Sequence, residues 1–141
     1  MFVDLDDFKP VNDTYGHAAG DELLKQVGRR LQECLRRHDT VARTGGDEFV
    51  IVLGDVGDTQ GASFIGEKIL QELAKPIPVA GNMLEISCSI GISMYPTDGK
   101  DIATLTANAD VAMYHAKKSG KHAFRLFAPD MRPNGPAAAT G

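Results

Sequence analysis

Two short acidic stretches carry the side chains with most chemistry to offer: Asp4-Leu5-Asp6-Asp7 at the front of the chain and Gly45-Gly46-Asp47-Glu48 further along. Asp4 and Asp6 follow the apolar residues Met1-Phe2-Val3 and are expected at the C-terminal end of a strand, one on each face. Asp47 and Glu48 follow a glycine pair of the kind that turns a tight hairpin. Carboxylates brought together from a strand end and a hairpin repel one another unless a hard cation holds them. Mg²⁺ suits such a site, because it takes one or two carboxylates and completes its shell with substrate phosphates; Mn²⁺ is the alternative ion. Two such ions are the apparatus for in-line attack of a hydroxyl on a phosphoryl group. Each signal alone is weak, since acidic strand ends are commonly just solvated and a glycine pair alone says only "hairpin".

The flanking elements must bring these groups together. Apolar residues at Leu23, Leu24, Val27, Leu31 and Leu35 recur at three- and four-residue spacing, which predicts an amphipathic helix from Ala18 to about Arg37. Asp21 and Glu22 would then lie in its first turn and Arg36 and Arg37 in its last, as the helix dipole favours. Val41–Thr44 and Glu48–Leu53 read as two strands joined by Gly45-Gly46, the second apolar on both faces and so a central strand covered on part of each side. Helices are expected over Gly61–Ala74 and Ile102–Lys118, with strands near Ile77–Val79, Leu84–Met94 and Ala123–Phe127. Helices interleaved with strands and one hairpin indicate an α/β sandwich on a mixed sheet.

Composition narrows the class of function. The chain has 141 residues, is 43% hydrophobic and carries a net charge of −4, which suits one globular domain and argues against a general nucleic-acid binder. Cys34 and Cys88 make neither a metal spacing nor a disulfide framework and read as buried thiols. No apolar run approaches the roughly 20 residues of a membrane span, so the expected compartment is the cytoplasm. The small, Pro-rich residues after Met131 are expected to be disordered.

Longer blocks make the reading specific. The stretch from Phe2 to Asp21 (FVDLDDFKPVNDTYGHAAGD), the run Arg43-Thr44-Gly45-Gly46-Asp47-Glu48-Phe49, the segment Ser89–Ile92 and the helix Ala109–Lys121 resemble, in order and spacing, the GGDEF-domain diguanylate cyclases. The resemblance implies a palm-like fold related to nucleotide cyclases and a reaction in which two GTP molecules give cyclic di-GMP and two pyrophosphates. Carried over by position, it gives metal binding to Asp4, the Leu5 carbonyl, Asp47 and Glu48, and catalysis to Asp47 and Glu48. It implies that Asn12 and Asp21 hold the guanine edge. Lys9, Lys117 and Lys121 would meet the triphosphate, helped by backbone N–H groups from Asp7 through Phe8 to Lys9. Arg36 and Asp39 match the family's Arg-x-x-Asp product-inhibition site. One domain holds one GTP, so the active species is expected to be a two-fold homodimer. An upstream sensory domain and a downstream EAL domain are the partners the family suggests. The alternative is a catalytically weak or inactive module that binds GTP or cyclic di-GMP within a larger signalling protein.

The resemblance also sets out departures. Residues 1–131 are expected to form the GGDEF domain without the Leu-Thr-x-Leu-x-Asn-Arg segment and helix that usually precede the first strand, with 132–141 as a tail. Lys121 stands where many members have arginine, which keeps the charge but not the two-pronged contact to phosphate. The missing wall is expected to leave the isolated chain poorly stable or weakly active. Thermal melting and turnover of the 141-residue chain check this, and a cooperative melt with near-normal turnover contradicts it.

Overall fold

The structure, a computed structural model, describes residues 1–132, so most of the expected tail lies outside the described residues. Its elements run β1 (Phe2–Leu5), α1 (Phe8–Tyr15), α2 (His17–Cys34), β2 (Thr40–Gly45), β3 (Glu48–Val52), α3 (Thr59–Ala74), β4 (Ile77–Val79), β5 (Asn82–Leu84), β6 (Cys88–Ile92), α4 (Ile102–Lys118) and β7 (Ala123–Leu126). A final 3₁₀ turn covers Pro129–Met131. Five strands form one mixed sheet in the order β2-β3-β1-β6-β7, while β4 and β5 make a separate hairpin. The α/β architecture on a mixed sheet is as the sequence indicates.

β1 is the centre of the sheet, antiparallel to β3 on one side and to β6 on the other. Its four residues divide their side chains between two layers. Val3 and Leu5 enter the main core with Leu23, Val27 and Leu31 of α2, Ile69 and Leu73 of α3, and Phe49 and Ile51 of β3. Phe2 points the other way, where it packs with Ala109 and Met113 of α4 and with Val50. By the same alternation Asp4 is on the α4 side. Ala109, Met113 and Lys117 lie four residues apart on one stripe of α4, so the stripe that covers Phe2 ends in a lysine above the acidic end of β1.

α4 can lie this close because β6 offers it a glycine. A Cβ on Gly91 would run into the backbone carbonyl of Ala109 and the backbone nitrogen of Met113. Its N-terminus is fixed by Asp101, whose side chain accepts from the Thr104 N–H at 2.7 Å. α3 is capped in the same way by Asp58, which accepts from the Gly61 N–H at 3.0 Å.

Several boundaries differ from the sequence reading, each for a local reason. α2 already begins at His17 and stops at Cys34, so Asp21 and Glu22 lie beyond its first turn and Arg36 and Arg37 beyond its end. The expected long strand Leu84–Met94 is two elements, β5 and β6. Residues 85–87 between them are not strand, although Ser87 still follows the β1 register, its carbonyl accepting from the Asp6 N–H at 2.9 Å. β3, by contrast, is covered on part of each side as expected: Phe49 and Ile51 are 3% and 1% exposed on one face, while on the other Val50 packs beside Phe2 and Val52 is 48% exposed. On that open side the chain leaves an apolar groove of about 550 Å³ lined by Phe2, Val50, Ile102 and Leu105 among others. Arg132, expected in the tail, donates to Asn108 Oδ1 and stands 5.6 Å from the centre of the Phe127 ring. Both cysteines are free and buried.

The Gly91 contact generates a direct test. Gly91→Ala should force α4 off the sheet and destabilise the fold by about 1–3 kcal/mol, the usual range for overpacking a tight contact. Denaturant titration measures the loss, and an unchanged midpoint contradicts the packing described.

Candidate active site

The register of the central strands builds the acidic cluster. Asp4 of β1 stands directly opposite Glu48 of β3, which places their side chains on the same face. The hairpin tip is stapled to the end of β1 by a bond from the Leu5 N–H to the Asp47 carbonyl, 3.2 Å. Gly46 turns the tip with φ +49°, a left-handed conformation that glycine adopts without strain. Asp4, Leu5, Asp47 and Glu48 therefore converge, as the sequence analysis expects.

The cluster is electrostatically unsatisfied. Asp4 Oδ1 is buried and has no hydrogen-bond partner. Burial pushes the Asp4 carboxyl up to about 7, with repulsion from Asp47 and Glu48 adding to it and the Lys117 ammonium pulling the other way. Lys117 Nζ stands 3.7 Å from Asp4 Oδ2, 3.2 Å from Asp6 Oδ1 and 3.3 Å from the Leu5 carbonyl. An orphaned buried carboxylate oxygen beside a backbone carbonyl and two further carboxylates is a donor set of hard oxygens, which fits Mg²⁺ or Mn²⁺. Among the described residues no three His, Cys, Asp or Glu side chains converge into a ready-made metal cage.

Asp6 departs from expectation. It lies on the same side as Asp4, not the opposite one, because residues two apart on an extended chain share a face and one ammonium reaches both. Asp6 is 2% exposed and accepts from Ser87 Oγ and Ser89 Oγ, each at 2.7 Å, and from the His122 N–H at 3.1 Å. Burial raises its pKa, but the bonds from Ser87, Ser89, His122 and Lys117 outweigh that and hold it below the ordinary carboxylate value. The motif blocks give Asp6, Ser87 and Ser89 no role at the site; the two-residue spacing of Asp4 and Asp6 is the signal that places Asp6 there.

The remaining candidates surround this centre. Asp7 sits at the head of α1 in a left-handed conformation, φ 56° and ψ 38°, and its side chain makes no cap bond there. It reaches across instead to Lys121 Nζ at 2.7 Å, which joins the two turns expected to meet phosphate. Phe8 is buried in the core and anchors the start of α1, whereas Lys9 is exposed on the surface. Asn12 packs against Gly20, where any Cβ would collide with the Asn12 amide. That contact brings α1 against α2 one residue before Asp21, which faces a second cavity beside Leu24, Arg43 and Phe49.

Arg36 and Asp39 are apart from the acidic centre, at the open end of the hairpin. The six residues of β2 separate them from its tip, about 20 Å at strand rise. They bind each other and the chain after β3. Asp39 accepts from the Arg36 and Gly54 N–H groups at 2.9 and 3.0 Å, while the Arg36 guanidinium donates to the Gly54 and Asp55 carbonyls. Burial raises the Asp39 pKa, but these bonds and the Arg36 charge outweigh it and hold it low.

The family profile described as "Diguanylate cyclase, GGDEF domain" matches residues 1–123. The chain belongs to this GGDEF family. The bifunctional diguanylate cyclase/cyclic di-GMP phosphodiesterase MucR of Pseudomonas aeruginosa is 42% identical over 134 residues, 95% of this chain and 19% of MucR. The cyclic di-GMP phosphodiesterase NbdA of the same organism is 40% identical over 127 residues, 90% of this chain and 16% of NbdA. The crystal structure of the GGDEF domain of TpbB from Pseudomonas aeruginosa superposes with a TM-score of 0.87 at 39% identity, covering 90% of this chain and 80% of that one. The chain thus spans less than a fifth of MucR and NbdA, and such GGDEF domains stand within larger multidomain proteins. No helix among the described residues is long and apolar enough to cross a membrane.

The unsatisfied Asp4 carboxylate has a measurable consequence. Its pKa is raised on folding, so stability is highest when Asp4 can be protonated and falls as pH rises from its unfolded value near 4 to about 7. Asp4→Asn should therefore raise the melting temperature of the metal-free protein more at pH 8 than at pH 5. Mg²⁺ should raise the melting temperature of the unsubstituted protein at pH 8 and leave Asp4→Asn nearly unmoved. Differential scanning calorimetry reads both effects.

Proposed function

We propose that this domain is a diguanylate cyclase that condenses two GTP molecules into cyclic di-GMP and two pyrophosphates. The observation that carries the reading is the buried, unpartnered oxygen of Asp4 within a convergent set of Asp4, the Leu5 carbonyl, Asp47 and Glu48. In this reading those groups hold two Mg²⁺ ions, with Mn²⁺ as a substitute. The ions would supply charge neutralisation on the phosphates and a more acidic attacking hydroxyl.

The chain's own residues account for the rest. Asn12 and Asp21 orient the base, Asp21 accepting from the guanine N1–H and exocyclic amine, a donor pair that adenine lacks at that edge. Lys117 and Lys121 receive the terminal phosphates from the α4 side. The N–H groups of Asp7, Phe8 and Lys9 and the Lys9 side chain do so from the β1–α1 turn. With the base and triphosphate fixed, the α-phosphate lies over the Gly45-Gly46 tip, where side chains are absent. The 3′-oxygen of the opposing GTP attacks that phosphorus, the bond to pyrophosphate breaks, and the hydroxyl proton passes to the Asp47–Glu48 carboxylates. Repeating the step in the other half-site closes the ring. One domain offers one such half-site, so the active form is a homodimer, brought together by domains beyond this chain, such as a sensory domain before it or an EAL domain after it.

Arg36 and Asp39 are the proposed product-inhibition site. For Arg36 to grip a guanine or phosphate, the guanidinium must exchange its bonds to the Gly54 and Asp55 carbonyls for bonds to the ligand. A second reading, a GGDEF module that binds nucleotide without turnover, is favoured by the phosphodiesterase name of NbdA at similar identity.

Incubation of the dimerised parent protein with GTP and Mg²⁺, with products read by mass, separates the two. Cyclic di-GMP and pyrophosphate are expected, and Asp47→Ala or Glu48→Ala should lower the rate by about a hundredfold or more, as losing a metal-site or proton-accepting group does. GTP bound without product in the dimerised parent overturns the cyclase reading in favour of the binding module.

A further inference from the structure

Asp4 and Asp6 are two residues apart on one side of the chain, yet their surroundings are opposite. Asp4 has an oxygen with no partner, whereas Asp6 has none to spare. Asp6 Oδ1 accepts from Ser89 Oγ and Lys117 Nζ, and Oδ2 accepts from Ser87 Oγ and the His122 N–H. Four donors fill the roughly four lone-pair sites of a carboxylate. A saturated, buried carboxylate is a poor ligand for an added cation, so the second aspartate of the Asp-x-Asp pair has a different task.

We infer that Asp6 is a positioning residue, which holds the Lys117 ammonium and the turn carrying Lys121 in place to receive the triphosphate. This rests on the nucleotide reading of the site given above. Its four donors come from the segment before β6, from β6, from the last turn of α4 and from the turn that follows. One buried group therefore fixes where α4 ends relative to the β1–α1 turn.

Two further observations support the assignment. Lys121 and His122 are consecutive non-glycine residues with positive φ, 65° and 46°, a conformation that L-residues hold only against a restraint. The His122 N–H bond to Asp6 is that restraint on one side, and the Lys121–Asp7 pair is the other. The second observation concerns Lys117, whose ammonium is shared among Asp4, the Leu5 carbonyl and Asp6. Asp4 and the Leu5 carbonyl are the candidate cation ligands, so Asp6 is the one of these three contacts that cation binding leaves in place. Lys117 keeps a fixed pivot while its charge becomes free to face phosphate.

The test compares Asp6→Asn with Lys117→Met and with the double substitution in the full chain. Binding of GTP and of GDP is measured by calorimetry in Ca²⁺, and turnover is measured in Mg²⁺. Asp6→Asn weakens the charge-assisted bond to Lys117, so GTP affinity should fall about ten- to hundredfold while GDP affinity changes little. KM should rise more than kcat falls, and the double substitution should be no worse than Lys117→Met alone. Affinity for Mn²⁺ alone should be kept in Asp6→Asn, which a role as metal ligand does not allow. Should Asp6→Asn fail to fold, Ser87→Ala reads the same network and should lower GTP affinity about threefold or more, the loss of one modest hydrogen bond.

Additive losses in the double substitution, loss of Mn²⁺ binding, or unchanged preference for GTP over GDP overturns the inference. An unsubstituted protein that prefers GTP no more than GDP overturns it too, since there is then no triphosphate contact to position. If GTP preference depends on Asp6 but the dimerised parent makes no cyclic di-GMP, the cyclase reading fails and this one stands. If Asp6→Asn turns over normally, the reverse holds.

Discussion

Everything at the acidic centre hangs on the pairing of β1 with β3. The pairing puts Asp4 opposite Glu48, and the Leu5 N–H on the Asp47 carbonyl fixes the hairpin tip at the end of the central strand. A slip of one residue would turn Asp4 into the core and Val3 toward α4, because side chains alternate along a strand. The register is held by the apolar side of the same four residues, since Val3 and Leu5 are 0% and 1% exposed and fit only one way against α2 and α3. Core packing thus determines where like charges are forced to meet. Burial first, with that repulsion added, pushes the Asp4 carboxyl up to about 7, the kind of local violation expected where a protein binds something.

The opposing layer divides its work along one helix stripe. Ala109 and Met113 cover Phe2, and Lys117, one turn further on, compensates the acidic end of the strand. The stripe works because Gly91 lets α4 settle onto β6 without an intervening side chain. The lysine that faces the carboxylates is therefore a property of backbone approach as much as of charge. The turn beyond α4 is then tied down by a buried carboxylate, Asp6, through the His122 N–H.

Much of this is legible in the sequence. The α3 and α4 helices, the glycine-turned hairpin and the convergence of Asp4, Asp47 and Glu48 all follow from periodicity, turn chemistry and the ordered motif blocks. What escapes is whatever depends on backbone geometry between distant segments. The break between Leu84 and Cys88 looks like continuous strand, because apolar alternation persists through residues that are not strand. The two-sided apolarity of Phe49–Leu53 signals cover on part of each side, but not that α4 reaches over β1, β6 and β7 and leaves the second face of β3 half open. Asp6 was misplaced for a simpler reason: two residues apart means the same face, and its saturation by two serines more than eighty residues away leaves no mark on the local pattern.

The Arg36–Asp39 clip has a mechanical corollary. The β2–β3 hairpin is pinned at its tip, by the Leu5 bond to Asp47, and at its base, where Asp39 grips the Gly54 N–H and Arg36 the following carbonyls. A two-stranded ribbon fastened at both ends behaves as a short beam rather than a hinge. The span between the two fastenings is set by the six residues of β2.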